Sequence, residues 1–335
     1  MLTRRHALAA AGLALVPGIA TAAAPDPRWS RAADWSAERR GVSVLVVQGG
    51  QVVFEDYRRS GAGDAHELAS GTKSFCGVLA AALVQDGLLA LDERCADTLT
   101  EWRDDPVKAQ ATVRSLLSLS SGIGPGQIAR PPTYAAAVAA PVAGAPGVFR
   151  YGPGPFQCFG EMVRRKLAAA GQPDDVLAFL TRRVLAPAGV GVGSWTRQDG
   201  QPNMPSGAHL TARDWSRFGV FVMGGGRVGG RPIVDADALA ACFRPGPANP
   251  GYGLSWWLLR PGLIPPGPRS GINADLTRLT GLPDVRMAAG AGDQRLYLIP
   301  DRDLVIVRQA DGILASLAGR GAAWSDVDFL TLLLS

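Results

Sequence analysis

Strand-forming residues lie at both ends of this 335-residue chain, and helix-forming residues lie between them. Residues 41–57 contain two β-branched runs around a Gly-Gly pair at 49–50, which predicts a hairpin with a two-residue turn. Residues 296–308 predict two further strands around a Pro/Asp-rich turn, and residues 324–334 predict a closing helix. The simplest fold is one sheet built from both ends of the chain, with a helical region inserted between them.

The first 22 residues have the features of an export signal. A short basic start, Thr3-Arg4-Arg5-His6, precedes an apolar run and a small-residue site at 20–22. The paired arginines suggest the twin-arginine type of signal peptide, and we expect cleavage after Ala22. The rest of the sequence contains no run of about 20 apolar residues, so no stable membrane anchor is expected. We therefore predict a bacterial periplasmic or secreted protein.

Charge and metal-ligand usage exclude several classes of partner. The formal net charge is +5, but the basic residues are scattered and not interleaved with aromatic residues, so no nucleic acid is expected. The four cysteines have no metal-site spacing, and of the three histidines one lies in the predicted signal. We expect no metal and no cofactor. The sequence leaves open both the pairing of the cysteines and the oligomeric state.

A serine-lysine pair at the start of an apolar helix is the strongest sign of chemistry. Ser70 precedes a long apolar run ending near Asp86-Gly87, so it is expected at a helix N-terminus, where developing negative charge is favoured. Lys73 lies one turn further on the same face, and burial can lower the pKa of a lysine until it accepts a proton. Only three of the 34 basic residues are lysine, and arginine could not serve as this base.

Five segments in order resemble the serine β-lactamase and penicillin-binding-protein superfamily. The resemblance is closest to its class C branch, which includes family VIII carboxylesterases and 6-aminohexanoate-dimer hydrolases, and it spans residues 40–335. The segments that carry it are HELASGTKSFCGVLAAALVQDGLLALDE at 66–93, TVRSLLSLSSG at 112–122, PGVFRY at 146–151, LTARD at 210–214 and YGLSWW at 252–257.

This resemblance implies an α/β (α+β) fold of the β-lactamase type, in which helices flank an antiparallel sheet. The sheet domain would comprise residues 23–66 and 205–335, and a mostly helical domain would comprise residues 67–204. The active site is expected in the cleft between the two domains.

The resemblance also implies roles for individual residues. Ser70 would be the acylated nucleophile, Lys73 its proton acceptor and Tyr151 the second proton-transfer group. Backbone N–H groups of Ser70 and Ala291 would form the oxyanion hole. Further candidates, for substrate contact, are Gly290, Gln294 and Trp256.

Two departures from the superfamily pattern bear on the substrate. The second motif reads Tyr151-Gly152-Pro153 in place of Tyr-x-Asn, so the asparagine amide is missing. The third motif, usually Lys-Thr-Gly, falls on the Ala-Ala-Gly of residues 288–290, and no lysine exists beyond Lys166. We therefore expect a serine hydrolase acting on an ester, amide or peptide-like small molecule, with esterase or short-amide hydrolase as the first choice. The alternatives are a penicillin-binding or D-amino-acid peptidase-like enzyme, a β-lactamase, and a non-catalytic exported binding or sensor protein.

Overall fold

The structure is a computed structural model that describes residues 26–128, 130–260, 281–320 and 322–335. The predicted signal peptide, residues 1–22, lies outside these ranges. The helices are α1 Pro27–Ala37, α2 Ser74–Gln85, α3 Val113–Leu117, α4 Tyr134–Ala139, α5 Gly154–Ala169, α6 Val176–Leu180, α7 Ala212–Met223, α8 Ala236–Ala241, α9 Ile313–Leu317 and α10 Asp326–Leu334. The strands are β1 Gly41–Gln48, β2 Gln51–Tyr57, β3 His66–Glu67, β4 Ser194–Trp195, β5 Arg197–Gln198, β6 Gln201–Pro202, β7 Ala208–Leu210, β8 Arg227–Val228, β9 Arg231–Pro232, β10 Trp257–Leu259, β11 Val285–Gly290, β12 Gln294–Ile299 and β13 Leu304–Ala310. In the described ranges, every helix is too short or too polar to cross a membrane.

A six-stranded antiparallel sheet in the order β10-β11-β12-β13-β1-β2 forms the centre of the molecule. The N-terminal hairpin joins the C-terminal strands where β1 pairs with β13, for example Val46 with Ile306. Both strands are rich in β-branched residues and almost fully buried, as expected for central strands. The prediction of one sheet drawn from both chain ends is confirmed.

Helices cover both faces of this sheet. On β12, Leu296 and Leu298 lie against Gly219 of α7, while the intervening Tyr297 packs on Phe329 of α10. Because successive strand residues point to opposite faces, α7 and α10 must lie on opposite sides of the sheet. The observed layers therefore agree with the expected α+β arrangement of an antiparallel sheet flanked by helices.

The inserted region is less helical than the sequence pattern suggests. Its longest helices are α2 and α5, and much of 86–153 consists of loops with short 3-10 turns. The frequent Pro and Gly residues of this region interrupt helices and explain the difference. Helix α2 is apolar on all sides and is buried from Ser74 to Leu83, so it forms the centre of this part of the fold.

A small sheet in the order β3-β7-β4 lies where the inserted region meets the main sheet. Just beyond β3, the N–H of Leu68 donates to the carbonyl of Ala208 at 2.9 Å. This bond fixes the chain two residues before Ser70. The division of the chain into two domains near these points stays a prediction.

Candidate active site

Ser70 lies in a tight turn that leads into α2. Residues 69–73, here called the nucleophile turn, form a 3-10 turn, and the α-helix begins only at Ser74. Ala69 has a φ of +45°, a left-handed conformation that costs a residue with a side chain roughly 1–3 kcal/mol. The bond from Gly71 N–H to Leu68 O, 2.9 Å long, closes the turn. Ser70 remains partly exposed while the other residues of the turn are buried.

Lys73 is buried directly beside Ser70. Its Nζ donates to Ser70 Oγ at 2.9 Å and to the backbone carbonyl of Pro205 at 3.0 Å, and its side chain is 3% exposed. The aromatic rings of Tyr151 and Phe156 lie 5.1 and 5.5 Å from the amine. Burial lowers the pKa of Lys73 to about 7, so the neutral amine is well populated at neutral pH. A neutral amine at this distance can accept the hydroxyl proton of Ser70.

The carbonyl of Pro205 is a partner of Lys73 that could not be recognised from the amino-acid sequence. Backbone carbonyls carry no sequence signal, and the two residues are 132 positions apart. In this protein the second motif cannot supply a side-chain amide, because its third residue is Pro153, which instead precedes the first turn of α5. The structure therefore shows that the amine of Lys73 is held by the Ser70 hydroxyl and a backbone carbonyl.

Tyr151 lies beside Lys73 and is held by an aromatic cluster. Its ring stacks on Trp257, with centroids 5.3 Å apart and planes inclined by 30°. Trp257 in turn contacts Tyr252 and Phe149. Burial raises the pKa of Tyr151 to about 12, and interaction with Ser70 partly opposes this rise. The phenol therefore stays protonated at neutral pH and can donate its proton.

The end of β11 packs directly on the nucleophile turn. A Cβ on Gly290 would lie 2.0 Å from the carbonyl oxygen of Leu68 and 3.0 Å from the nitrogen of Gly71, so only glycine fits there. The next residues, 291–293, connect β11 to β12, and Gly292 and Asp293 have positive φ. Residues 290–293 include the predicted oxyanion donor Ala291 and are called the oxyanion turn below. The backbone of Ala291 is thus brought next to the segment that carries Ser70.

The structure buries two of the residues that the sequence predicts as substrate contacts. Gln294 is fully buried, and its side chain donates to and accepts from the backbone of Ala310, so it links β12 to β13. Trp256 is also fully buried and packs against Phe218 and Phe243. Alternation along the strand instead places its neighbour Trp257 beside Tyr151. The sequence showed both tryptophans but not which one faces the site.

Three other titratable side chains contact residues outside the group of Ser70, Lys73 and Tyr151. His66 contacts Ser60 at 2.8 Å, and a ring nitrogen of His209 contacts the carbonyl of Gly207. Arg286 stacks on Phe243 at 4.3 Å. It lies on the same face of β11 as Gly290, four residues earlier in the strand. All four cysteines are free and buried, and no group of possible metal ligands occurs in the described part of the chain.

Comparison with known proteins agrees with this architecture. The family model described as Beta-lactamase matches residues 27–311. No curated protein sequence matches the chain. Among solved structures, EstCE1, a hydrolase with promiscuous acyltransferase activity, is 15% identical over 92% of this chain and 98% of its own, with a TM-score of 0.67.

Two further solved structures have the same fold. A β-lactamase/D-alanine carboxypeptidase from Pseudomonas syringae is 16% identical with a TM-score of 0.65. A class C β-lactamase from Rhodobacter sphaeroides is 17% identical with a TM-score of 0.64. Each match covers 92% of this chain and 97% of the other.

Proposed function

The chain belongs to the beta-lactamase family of serine hydrolases, and on that premise we propose that it cleaves ester or amide bonds of small molecules through an acyl-enzyme at Ser70. The observation that carries the proposal is the 2.9 Å contact between Ser70 Oγ and a buried lysine amine whose pKa is lowered to about 7. A serine hydroxyl becomes a nucleophile only when a base of suitable pKa lies within hydrogen-bond distance.

Acylation begins when Ser70 Oγ attacks the substrate carbonyl and its proton passes to Lys73 Nζ. The carbonyl oxygen becomes an oxyanion, which the backbone N–H groups of Ser70 and Ala291 stabilise. Tyr151 gives its proton to the leaving alcohol or amine as the bond to the carbonyl carbon breaks, and Lys73 returns the proton to Tyr151. The products of this half-reaction are the free leaving group and the Ser70 ester.

Deacylation repeats these steps with water as the nucleophile. The water gives a proton to the Tyr151–Lys73 pair, attacks the ester carbon and forms a second oxyanion in the same position. Collapse of this intermediate breaks the bond to Ser70 Oγ, which recovers the proton. The acid is released, and the residues return to their initial protonation states.

The residues around the nucleophile favour esters and small amides over β-lactams. Pro153 supplies no amide to bind a substrate amide group, and residues 288–290 supply no lysine to bind the carboxylate that β-lactams carry. The aromatic cluster at Tyr151 and Trp257 offers an apolar surface beside the nucleophile instead. The description of EstCE1 as a hydrolase with acyltransferase activity fits an acyl-enzyme that transfers its acyl group.

Intact-mass spectrometry of the mature protein tests this proposal. Brief exposure to a fluorophosphonate should add one label per chain, and p-nitrophenyl butyrate should be turned over. Ser70→Ala should lose both, while the control Ser118→Ala should keep both. A stable penicillin adduct without ester turnover would favour the penicillin-binding alternative, and no adduct with any reagent would overturn the proposal.

We also propose that residues 1–22 direct export to the periplasm or beyond. The support is the order of paired arginines, apolar run and small-residue site in the sequence. Expression in a bacterium with twin-arginine export should yield a periplasmic chain that begins at Ala23. The Arg4→Lys/Arg5→Lys variant should accumulate in the cytoplasm with its leader intact. Unprocessed wild-type protein in the cytoplasm would contradict the proposal.

A further inference from the structure

Two buried arginines lie side by side behind the oxyanion turn. Arg295 on β12 and Arg308 on β13 are directly paired in the sheet, and both are 0% exposed. Like charges placed opposite each other in a sheet are destabilising, and burying an ion costs several kcal/mol. Apolar residues would fill such a central position at lower cost. A role beyond packing would explain this arrangement.

The two guanidinium groups bind backbone carbonyls of the oxyanion turn and of Gln294, which follows it. Arg295 Nη1 donates to Gly290 O and to Gln294 O, each at 3.1 Å. Arg308 Nη1 donates to Gly292 O at 3.2 Å and to Asp293 O at 2.7 Å. The Nη1 atoms of the two guanidinium groups thus bind four backbone carbonyls between residues 290 and 294.

The bond to Gly290 O has a direct geometric consequence for Ala291. The carbonyl of Gly290 and the N–H of Ala291 belong to one planar peptide group, in which they point in opposite directions. Since the carbonyl points at Arg295, the N–H of Ala291 must point away from it. Rotation of this peptide group would break the bond to Arg295 and bury an unpaired carbonyl.

We propose that Arg295, supported by Arg308, is a positioning residue that fixes the Gly290–Ala291 peptide group so that the N–H of Ala291 serves as an oxyanion-hole donor. This inference rests on the proposed acyl-enzyme function. A positive charge on the carbonyl side also polarises the peptide group and strengthens its N–H as a donor. A donor that is fixed before the reaction needs no reorganisation when the oxyanion forms.

The rest of the network holds Arg295 in place. Its Nε donates to Asp326 Oδ1 at 2.7 Å, and Tyr297 and Trp324 donate to the same oxygen. Asp326 is fully buried at the start of α10, so the closing helix supplies the counter-charge. The C-terminal helix is therefore linked to the oxyanion turn through one side chain.

The test is a steady-state comparison with p-nitrophenyl butyrate. The double variant Arg295→Met/Asp326→Asn removes both charges of the pair and leaves acceptors for Tyr297 and Trp324. We expect its kcat to fall about 100-fold, as for loss of one oxyanion-hole donor. We expect KM to change less than threefold and the pH midpoint set by Lys73 to stay near 7. Affinity for an alkyl boronic acid, which forms a tetrahedral adduct with serine, should fall with kcat.

A conservative variant and a remote control separate positioning from stability. Arg295→Lys keeps the charge but has a single donor nitrogen in place of the planar guanidinium. Its kcat should therefore lie between those of the wild type and the double variant. Glu161→Gln weakens another buried ion-pair cluster, with Arg164 and Arg165 on α5, and should lower Tm without changing kcat. Wild-type kcat in a folded double variant, or an equal kcat loss in Glu161→Gln, would overturn the inference. Absence of turnover and labelling in the wild type would instead refute the proposed function.

Discussion

At Lys73, an amine is held in an apolar environment by one hydroxyl and one backbone carbonyl. Desolvation disfavours its charged form, and the described residues provide no carboxylate in contact with it to oppose that effect. The carbonyl of Pro205 takes one N–H of the neutral amine, which leaves the nitrogen lone pair free to face Ser70. One buried acceptor thus both orients the base and leaves its pKa low.

The rate of ester hydrolysis should follow the ionisation of Lys73. The amine acts as a base only when neutral, so kcat/KM should fall about tenfold for each pH unit below about 7 and level off above it. Lys73→Arg should lose about 10²–10⁴-fold in kcat/KM at every pH, because arginine keeps its proton. A pH–rate profile of both proteins measures this. A wild-type midpoint near 10 would contradict a desolvated base.

Tyr151 should act through its hydroxyl rather than through its ring. Tyr151→Phe keeps the stacking on Trp257 but removes the proton donor, so kcat should fall about 10²–10⁴-fold while Tm stays within a few degrees. Burst kinetics with p-nitrophenyl butyrate would show which half-reaction slows. As a control for lost phenol contacts, Tyr57→Phe removes a hydroxyl that bonds Glu55 and should leave kcat unchanged. An unaltered kcat of Tyr151→Phe with ethyl butyrate, whose alcohol must be protonated to leave, would exclude the phenol from proton transfer.

Among the elements, β11 and the nucleophile turn depend on each other for their geometry. The strand approaches the turn so closely at Gly290 that a single methyl group would collide with the backbone. This contact sets the distance between the segment that carries Ser70 and the segment that carries Ala291.

Gly290→Ala should therefore separate these two elements. The added Cβ would lie 2.0 Å from Leu68 O, so β11 must shift away from Ser70, and kcat should fall at least 100-fold. Gly63→Ala is the matched control, because nothing lies within 4 Å of its added Cβ and it should leave kcat unchanged. Ester kinetics with circular dichroism on both variants test this. Full activity in Gly290→Ala would show that the contact does not set the site.

The elements also show where sequence reasoning succeeded and where it could not. The hairpin at 49–50 and the closing helix are local patterns, and each appears where its residues predict it. The spacing of Ser70 and Lys73 is likewise local. The contact from Pro205, the facing of Trp257 rather than Trp256 and the buried position of Gln294 depend on how distant segments pack. No periodicity within one segment contains that information.

At the scale of the whole molecule, segments from both ends of the chain pair in one sheet. The N-terminal strand β1 pairs with β13, and α10 at the C-terminus supplies the carboxylate that partners Arg295 next to the oxyanion turn. The carboxylate of Asp326 therefore belongs to the same buried network as the turn after β11. The same buried environment that stabilises the fold also changes the ionisation of the groups it encloses.

Lys73 should make the stability of the whole protein depend on pH in a specific direction. Its folded-state pKa of about 7 lies below the ordinary value of 10.5, so between these pH values the unfolded chain binds the extra proton. The contribution of Lys73 to the free energy of unfolding should then be lowest below pH 7. Above pH 7 it should rise by about 1.4 kcal/mol per pH unit. Lys73→Met removes this titration, and comparing the two proteins cancels the titration of the buried cysteines. The free energy of unfolding of both proteins should be measured in urea at pH 7, 8 and 9. It should increase more with pH for the wild type than for Lys73→Met. A constant difference would mean that Lys73 keeps an ordinary pKa in the folded protein.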